Sequence, residues 1–484
     1  MNALAQEIDK YSIFKRRYYH LFQRTKGLKR GNIRAFLGIK TWVKELEYYN
    51  NEIQGHKAHV YALEDSIAFF EKHDRYEIEK EFLTCKETWL NNKDPIVYSN
   101  VIKPILTSPI SSIKKWTPNH RTMISLFSGA MGLDLGFMAA GFELRLANDI
   151  SQESFNTVTK NLPKVNFIHA DINGVTSNEI MSKAGLDVGE VDVLVGGPPC
   201  QPFSTAGKRE GLKDPRASPL REYVRVIKEL QPKVFVMEEV EGLLSSRLTH
   251  VPISERDGKI LKNEEKTGSM FKVVQAMLES TRYKFGYWVL NSADYGAPQC
   301  RRRLIIIGTN KGIPKPPVKT HSEAQLSLLD GSRLEPWNTL WEATADLQSK
   351  EQEFIKFSKP RKNYMRMIVP GGNWRHLPDN LVREALGGAY ESGGGKMGYF
   401  RRLSWDEPSP TIVTSPAQNS TMLCHPYNNR PLSVEEYKRI QGFPDDWVIM
   451  GSTIYEKYKL IGDAVPVHLS YAIARKVSQL LEVS

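Results

Sequence analysis

Four side chains in this 484-residue chain have the types and settings to attack a polar ring: Cys200, Glu238, Arg301 and Arg303. Cys200 lies in Pro198-Pro199-Cys200-Gln201-Pro202-Phe203-Ser204, directly after the apolar run VDVLVGG. Proline stiffens the backbone, so the thiol is presented on a rigid loop and is not one more small residue of an apolar stripe. A thiolate is the soft nucleophile that can add to carbon 6 of a pyrimidine and leave carbon 5 carbanion-like. Glu238 ends the next apolar run, KVFVMEEV. If the two runs are neighbouring strands, its carboxyl reaches the thiol and can hydrogen-bond ring nitrogen 3 and the exocyclic amine of a cytosine. Glu239 alternates to the other face of an extended strand. Gln299-Cys300-Arg301-Arg302-Arg303 leads into LIIIG, and Arg301 and Arg303 project to one side, where they could hold the Glu238 carboxylate and a base carbonyl.

A second constellation precedes the first. The run MISLF enters SGAMGLDLGFMAAGF, a glycine-rich turn carried by Gly129 and Gly132 between a strand and a helix. Such a turn lets a ligand approach the backbone and the free N–H groups of the helix start. About 20 residues on, the next strand ends in Asn148-Asp149, where a carboxylate can accept from a ribose. The third ends in Asp171-Ile172, an acid for an adenine amino group beside an apolar surface.

The elements that must hold these groups are legible from periodicity. MISLF, LRLAND, VNFIHAD, VDVLVGG, KVFVMEE, YWVLNSA and RLIIIGT are short buried strands, mostly separated by helical segments. That alternation predicts a largely parallel, doubly wound α/β sheet. Residues 1–118 differ: they are rich in Lys, Arg, Tyr and Glu, with helical periodicity and a dense basic stretch from Phe14 to Arg34. Residues from about 313 to 400 are rich in Gly, Pro, Arg and aromatics, as an irregular second domain would be. The end returns to an apolar-periodic helix, HLSYAIARKVSQLL.

The net charge of +11 suits a polyanionic partner. Cys85, Cys200, Cys300 and Cys424 are far apart, with no CxxC or nearby histidine, which speaks against zinc and against a disulfide framework. No run approaches the roughly 20 apolar residues of a membrane span, and the N-terminus has no secretory apolar core. A cytoplasmic protein without a membrane partner is expected.

The order of these motifs resembles the carbon-5 cytosine-specific DNA methyltransferase family of bacterial restriction-modification systems. The matching stretches are FSGAMGLDLG, LANDI, ADI, GGPPCQPFSTAGKR, FVMEEVEGLL, QCRRR, RRLSWDEPSPTIVT, RPLSVEEYKRIQGFPDDW and IGDAVPV, spanning residues 122 to 476. The resemblance implies a Rossmann-like S-adenosylmethionine-dependent core, with a cofactor site lined by Phe127, Ser128, Gly129, Gly132, Asp149, Ile150, Asp171, Ile172, Pro199 and Asp463. It also implies that Cys200 attacks, that Glu238 handles nitrogen 3, and that Arg301 and Arg303 support a flipped base. Four positions depart from the family pattern: Glu239 replaces an asparagine, Asp463 replaces another, Met131 replaces a common glycine, and residues 214–219 replace Asp-x-Arg-Gly-x-Leu.

The expected organisation is a helical N-terminal extension (1–118) with a possible DNA-backbone surface, a catalytic and cofactor-binding domain (119–312), a target-recognition domain (313–402), and a C-terminal segment (403–484) that returns to the catalytic domain. Double-stranded DNA is the expected partner, contacted through Gln201, Ser204, Asn373, Arg375, Ser392, Lys396, Arg401 and Arg402. A companion restriction endonuclease without a stable complex, and a monomeric state, complete the expectation. Three alternatives stand beside it: an RNA cytosine methyltransferase on the same core, a catalytically silent DNA-binding module, and a nucleotide-dependent oxidoreductase. The last gives no reason for Pro-Pro-Cys-Gln.

Overall fold

The computed structural model describes residues 106–110, 117–118, 120–199, 218–249, 262–323, 334–368, 370–391, 397–405 and 407–482. Most of the expected N-terminal extension (1–105 and 111–116), its basic stretch included, and Cys200, Gln201, Ser204, Ser392 and Lys396 lie outside the described residues, as do positions 214–217.

Among the described residues, seven strands form one sheet: β1 (Thr122–Leu126), β2 (Glu143–Asp149), β3 (Asn166–His169), β4 (Val193–Gly196), β5 (Val234–Val240), β6 (Lys284–Asn291) and β7 (Arg302–Thr309). Their order is β3-β2-β1-β4-β5-β7-β6. Each of the seven apolar runs is one of these strands. β1 to β5 pair in parallel, with helices α1 (Gly132–Ala139), α2 (Gln152–Asn161), α3 (Ser177–Ala184) and α4 (Ser218–Leu230) in the connections. Strands so placed are covered on both faces, which is why they read as nearly unbroken apolar runs. The main core joins Ile124, Leu146, Leu194, Phe235 and Ile306 of the sheet to Tyr223 and Ile227 of α4 and Val274 of α5 (Ser269–Glu279).

One strand departs from the parallel pattern, and the site depends on it. β7 runs antiparallel to both β5 and β6, pairing Val240 with Arg303 and Glu238 with Ile305. Because it runs against its neighbours, β7 begins at the edge where β1 to β5 end. The arginine cluster is thereby delivered to the carboxyl edge of the sheet, where open α/β folds bind ligands.

Beyond the sheet come α6 (Lys359–Arg366), α7 (Asp379–Leu386), α8 (Val434–Gln441), α9 (Ile454–Asp463) and α10 (Val467–Glu482). Residues from 357 to 424 have a small core of their own, including Phe357, Met365, Ile368, Leu386, Phe400 and Cys424. The last helix packs on α1 at Gly136, where any β-carbon would fall 2.4 Å from Ser470. No helix among the described residues is long and apolar enough to cross a membrane.

Candidate active site

The glycine turn after β1 is built from backbone that few side chains tolerate. Phe127, Gly129 and Met131 all have positive φ, at 58°, 52° and 70°. Gly129 has open space where a β-carbon would stand, so the turn leaves room at that point. Gly132 serves differently. A β-carbon there would lie 2.2 Å from the Val465 carbonyl oxygen, so this glycine lets the turn at Asp463-Ala464-Val465 close onto the start of α1. Ser128 is buried, its N–H donating to the Asn148 carbonyl at 3.0 Å and its hydroxyl to Ser125 at 3.0 Å.

Asp149 clamps this turn. One carboxylate oxygen accepts from the Gly129 N–H at 2.8 Å and the other from the Ser151 N–H at 2.8 Å. Burial raises its pKa, and these N–H groups and the nearby Lys459 charge oppose the rise. Ile150 beside it is an exposed apolar side chain, 66% accessible. Asp171 caps a short turn through one oxygen, which accepts from Asn173. Ile172 was expected to offer apolar surface, but it is 2% exposed and belongs to the core under the sheet edge. The helical turn that Asp171 starts carries the Ile172 side chain inward, while Ile150 is left exposed at the same edge.

At the other half of the edge, β4 and β5 are neighbours, as the reach from Glu238 to the loop after β4 requires. A β-carbon on Gly197 would stand 3.0 Å from Glu238 Oε2, which puts the carboxylate against the backbone three residues before Cys200. Pro198 is buried and Pro199 exposed. The other Glu238 oxygen pairs with Arg303 Nε at 2.7 Å, both side chains 13% exposed. A carboxylate so flanked has one side fixed by charge and the other facing the loop. Glu239 is buried on the opposite face.

Arg301 does not share the Glu238 contact, contrary to the expectation from alternation. It falls between the bridge residues Gln299-Cys300 and the start of β7, where strand alternation is interrupted. Its guanidinium, 2% exposed, donates to the Ile412 carbonyl at 2.9 Å and the Asp463 carbonyl at 3.4 Å. Burial, with Arg303 close by, pulls its pKa down to about 9. Arg301 therefore ties the C-terminal segment to the carboxyl edge of the sheet.

The target-recognition candidates separate in the same way. Asn373 is buried and caps a short turn, its side chain accepting from the Arg375 N–H at 3.0 Å. Arg402 is 4% exposed, with donors spent on the carbonyls of Met365, Ile368 (2.7 Å) and His425 (3.1 Å) and on the Asn429 side chain. Neither can reach a base edge without dismantling its surroundings. Arg375 is exposed, over the Trp374 ring, and meets the Met397 sulfur; Arg401 Nε reaches the Met397 carbonyl at 3.4 Å. Those two arginines share one surface.

A family model described as C-5 cytosine-specific DNA methylase matches residues 121–479. The chain belongs to that family. It is a DNA cytosine-5 methyltransferase, and membership implies dependence on S-adenosylmethionine in general. Among its relatives, the Type II methyltransferase M.Eco47II of Escherichia coli is 36% identical over 373 residues, covering 76% of this chain and 81% of that protein. M.PspPI of Psychrobacter sp. is 37% identical over 372 residues (75% and 80% covered), and M.Sau96I of Staphylococcus aureus 34% over 374 residues (77% and 78%).

Two departures of this methyltransferase from the family pattern gain a physical meaning. Met131, where glycine is common, is held at positive φ and is fully buried, so it carries backbone strain that glycine would not. Asp463 is half-exposed and pairs its carboxylate with Lys459 at 2.7 Å, the same lysine whose charge acts on Asp149.

Three roles escaped sequence reasoning. Asn148 donates to the carbonyls of Ile168 and Ala170 at 2.9 and 3.0 Å, locking β2 to β3 just before Asp149 and Asp171. Buried Gln299 donates to Gln441 at 2.9 Å and accepts from the Ile412 N–H, while Gln441 reaches the carbonyls of Ile461 and Ala464. Asp134 is fully buried on α1 and burial pushes its pKa up to about 7. Two had a signal, a polar residue with apolar flanks, as in Leu133-Asp134-Leu135 and Ile440-Gln441-Gly442-Phe443, whereas Asn148 is followed by the charged Asp149.

Proposed function

We propose that this methyltransferase methylates carbon 5 of a cytosine within a specific duplex DNA sequence, through a covalent adduct of Cys200 at carbon 6. The supporting observation is the Glu238 carboxylate, gripped by Arg303 at 2.7 Å and lying against Gly197 at the sheet edge that also carries the glycine turn. The target base must leave the stack, at about a few kcal/mol, because carbon 6 is shielded within the duplex. Glu238 shares a proton with ring nitrogen 3 as the Cys200 thiolate bonds to carbon 6, so that the displaced ring electrons are neutralised at that nitrogen and carbon 5 becomes nucleophilic. Arg303 fixes the Glu238 carboxylate, and Arg301 positions the strand entry and the C-terminal turn. Loss of the carbon 5 proton then returns an electron pair to the ring and breaks the sulfur–carbon bond.

S-adenosylmethionine, as an electrophilic sulfonium, supplies the methyl group when bound. The residues present fit it: the open turn at Gly129, exposed Ile150 for an adenine face, Asp149 near a ribose and Asp171 near an adenine amine. Phe127, Ser128 and Pro199 border that space, and Gly132 and Asp463 shape it through the backbone. Residues 313–402 serve as the target-recognition part, with Arg375 and Arg401 as base-reading or backbone contacts. The Type II relatives favour a restriction-modification setting with a companion endonuclease.

Methyl transfer to duplex DNA by a Cys200→Ser variant tests the nucleophile: turnover should fall by orders of magnitude, and near-normal turnover removes Cys200 from the role. Bisulfite sequencing of DNA from expressing cells identifies product and target together; unmethylated DNA alongside methylated tRNA would favour an RNA substrate instead.

A further inference from the structure

A groove of about 670 Å³ lies between α6 and the loop at 428–430, and none of its lining residues is among the catalytic or cofactor groups proposed above. Lys356, Lys362 and Arg366 line it and are exposed, and among the described residues none of the three has an ion-pair partner. Among the described residues no carboxylate lines the groove. Arg430 also faces it, but buried Glu436 accepts from that guanidinium through both oxygens at 2.8 Å, so Arg430 forms wall and adds little net charge. Three unpaired cations gathered on one concave surface repel one another, a cost that a bound polyanion relieves.

The walls add donors and rigidity. Arg402 can only donate, so the Asn429 atom it meets is the carbonyl oxygen, and the amide N–H₂ of Asn429 is left to the groove, with Asn428 beside it. Arg402 also binds the carbonyls of Met365 and Ile368 at the end of α6 and those of His425 to Asn428 in the loop. One buried guanidinium thus pins both walls, and the surface is preformed. The residue before Phe354 is tied to α8: the Val434 N–H donates to the Glu353 carbonyl at 2.9 Å at the start of that helix, whose Gln441 bonds Gln299.

We propose that this groove binds the phosphodiester backbone of duplex DNA flanking the methylated site. It rests on the reading of duplex DNA as substrate and adds to it a site that carries affinity without sequence information. The groove is too large and open for a lone phosphate, and its cations come from α6 (Lys362 and Arg366) and from Lys356 in the segment before it, as a run of backbone needs.

The full chain carrying Lys356→Ala, Lys362→Ala and Arg366→Ala tests this by DNA binding across a salt series. Each phosphate contact contributes about 0.9 to the slope of log affinity against log salt, so the variant slope should be shallower by roughly 3 and affinity should drop on the order of 10²-fold near 0.1 M salt. The loss should appear on a duplex of about 30 base pairs and vanish on one of roughly 10, a single helical turn about the site. Methylation at saturating DNA, site choice and thermal midpoint should match wild type. An unchanged slope on the long duplex overturns the proposal, as does an equal loss on the short duplex or an altered site preference. Wild-type protein run in parallel separates the two readings: failure to methylate DNA there sinks the substrate assignment, whereas the salt slope reads the groove independently.

Discussion

Replacing Gly197 with alanine perturbs the catalytic edge by one methyl group. The new β-carbon would stand 3.0 Å from Glu238 Oε2, inside the 3.4 Å at which ordinary contact begins. Glu238 must retreat by about 0.4 Å, because a methyl carbon and a carboxylate oxygen cannot share that space. Retreat is resisted on the far side by Arg303, 2.7 Å from the other oxygen, so the carboxylate rotates out of line rather than sliding back. Misplacement by 1 Å costs catalysis about 10²-fold, so a shift of this size should lower the single-turnover rate roughly five- to tenfold. Gly197 is not among the residues at positive φ, and alanine should leave stability within about 0.5 kcal/mol or raise it slightly. The assay is single-turnover methyl transfer to duplex DNA, with donor affinity and thermal midpoint measured on the same preparation. Gly312→Ala is the control, since nothing lies within 4 Å of its β-carbon position. A Gly197→Ala rate within twofold of wild type would refute the argument that Glu238 acts from this position.

Arg402 and Arg375 should behave oppositely: Arg402→Ala leaves a set of buried carbonyls without donors and should cost about 3–5 kcal/mol in urea unfolding, while Arg375→Ala should stay within about 0.5 kcal/mol and change DNA binding. Equal stability losses would contradict the assigned roles. Gly132→Ala places a β-carbon 2.2 Å from the Val465 carbonyl oxygen, so the turn at 463–465 must move; about 1–3 kcal/mol of stability should be lost together with donor affinity, measured by calorimetry. Wild-type donor affinity in that variant would exclude the turn from the donor site. Asp134 has a folded pKa of about 7 against 3.8 as its ordinary value, so the native chain holds a proton that the unfolded chain releases. Its contribution to stability is complete below the ordinary value and declines as pH rises through about 7. Asp134→Asn should therefore be more stable than wild type at about pH 8, with the difference closing toward pH 4; parallel pH–stability curves would show that Asp134 does not titrate in that window.

Period-two and apolar-run patterns located all seven strands, because a sheet covered on both faces demands them wherever it lies in the chain. The same logic put the glycine turn, Asp149, Asp171 and Glu238 at strand ends, since chemistry in such folds gathers at the carboxyl edge. Sequence alone also supplied the residue types proposed for catalysis, as a thiol, a carboxyl and guanidiniums are properties of side chains and not of their arrangement. The direction of β7 was not legible, because an antiparallel strand carries the same apolar pattern as a parallel one, and yet that direction is what sets Arg303 against Glu238. Nor did the string distinguish Arg301 from Arg303 or Arg402 from Arg375. A guanidinium is equally suited to a phosphate, a base or six carbonyls, and only the packing around it decides which it meets. Burial and partner choice are long-range properties: Arg301 is positioned by Ile412 and Asp463, more than a hundred residues away, and no local pattern at 299–303 records them.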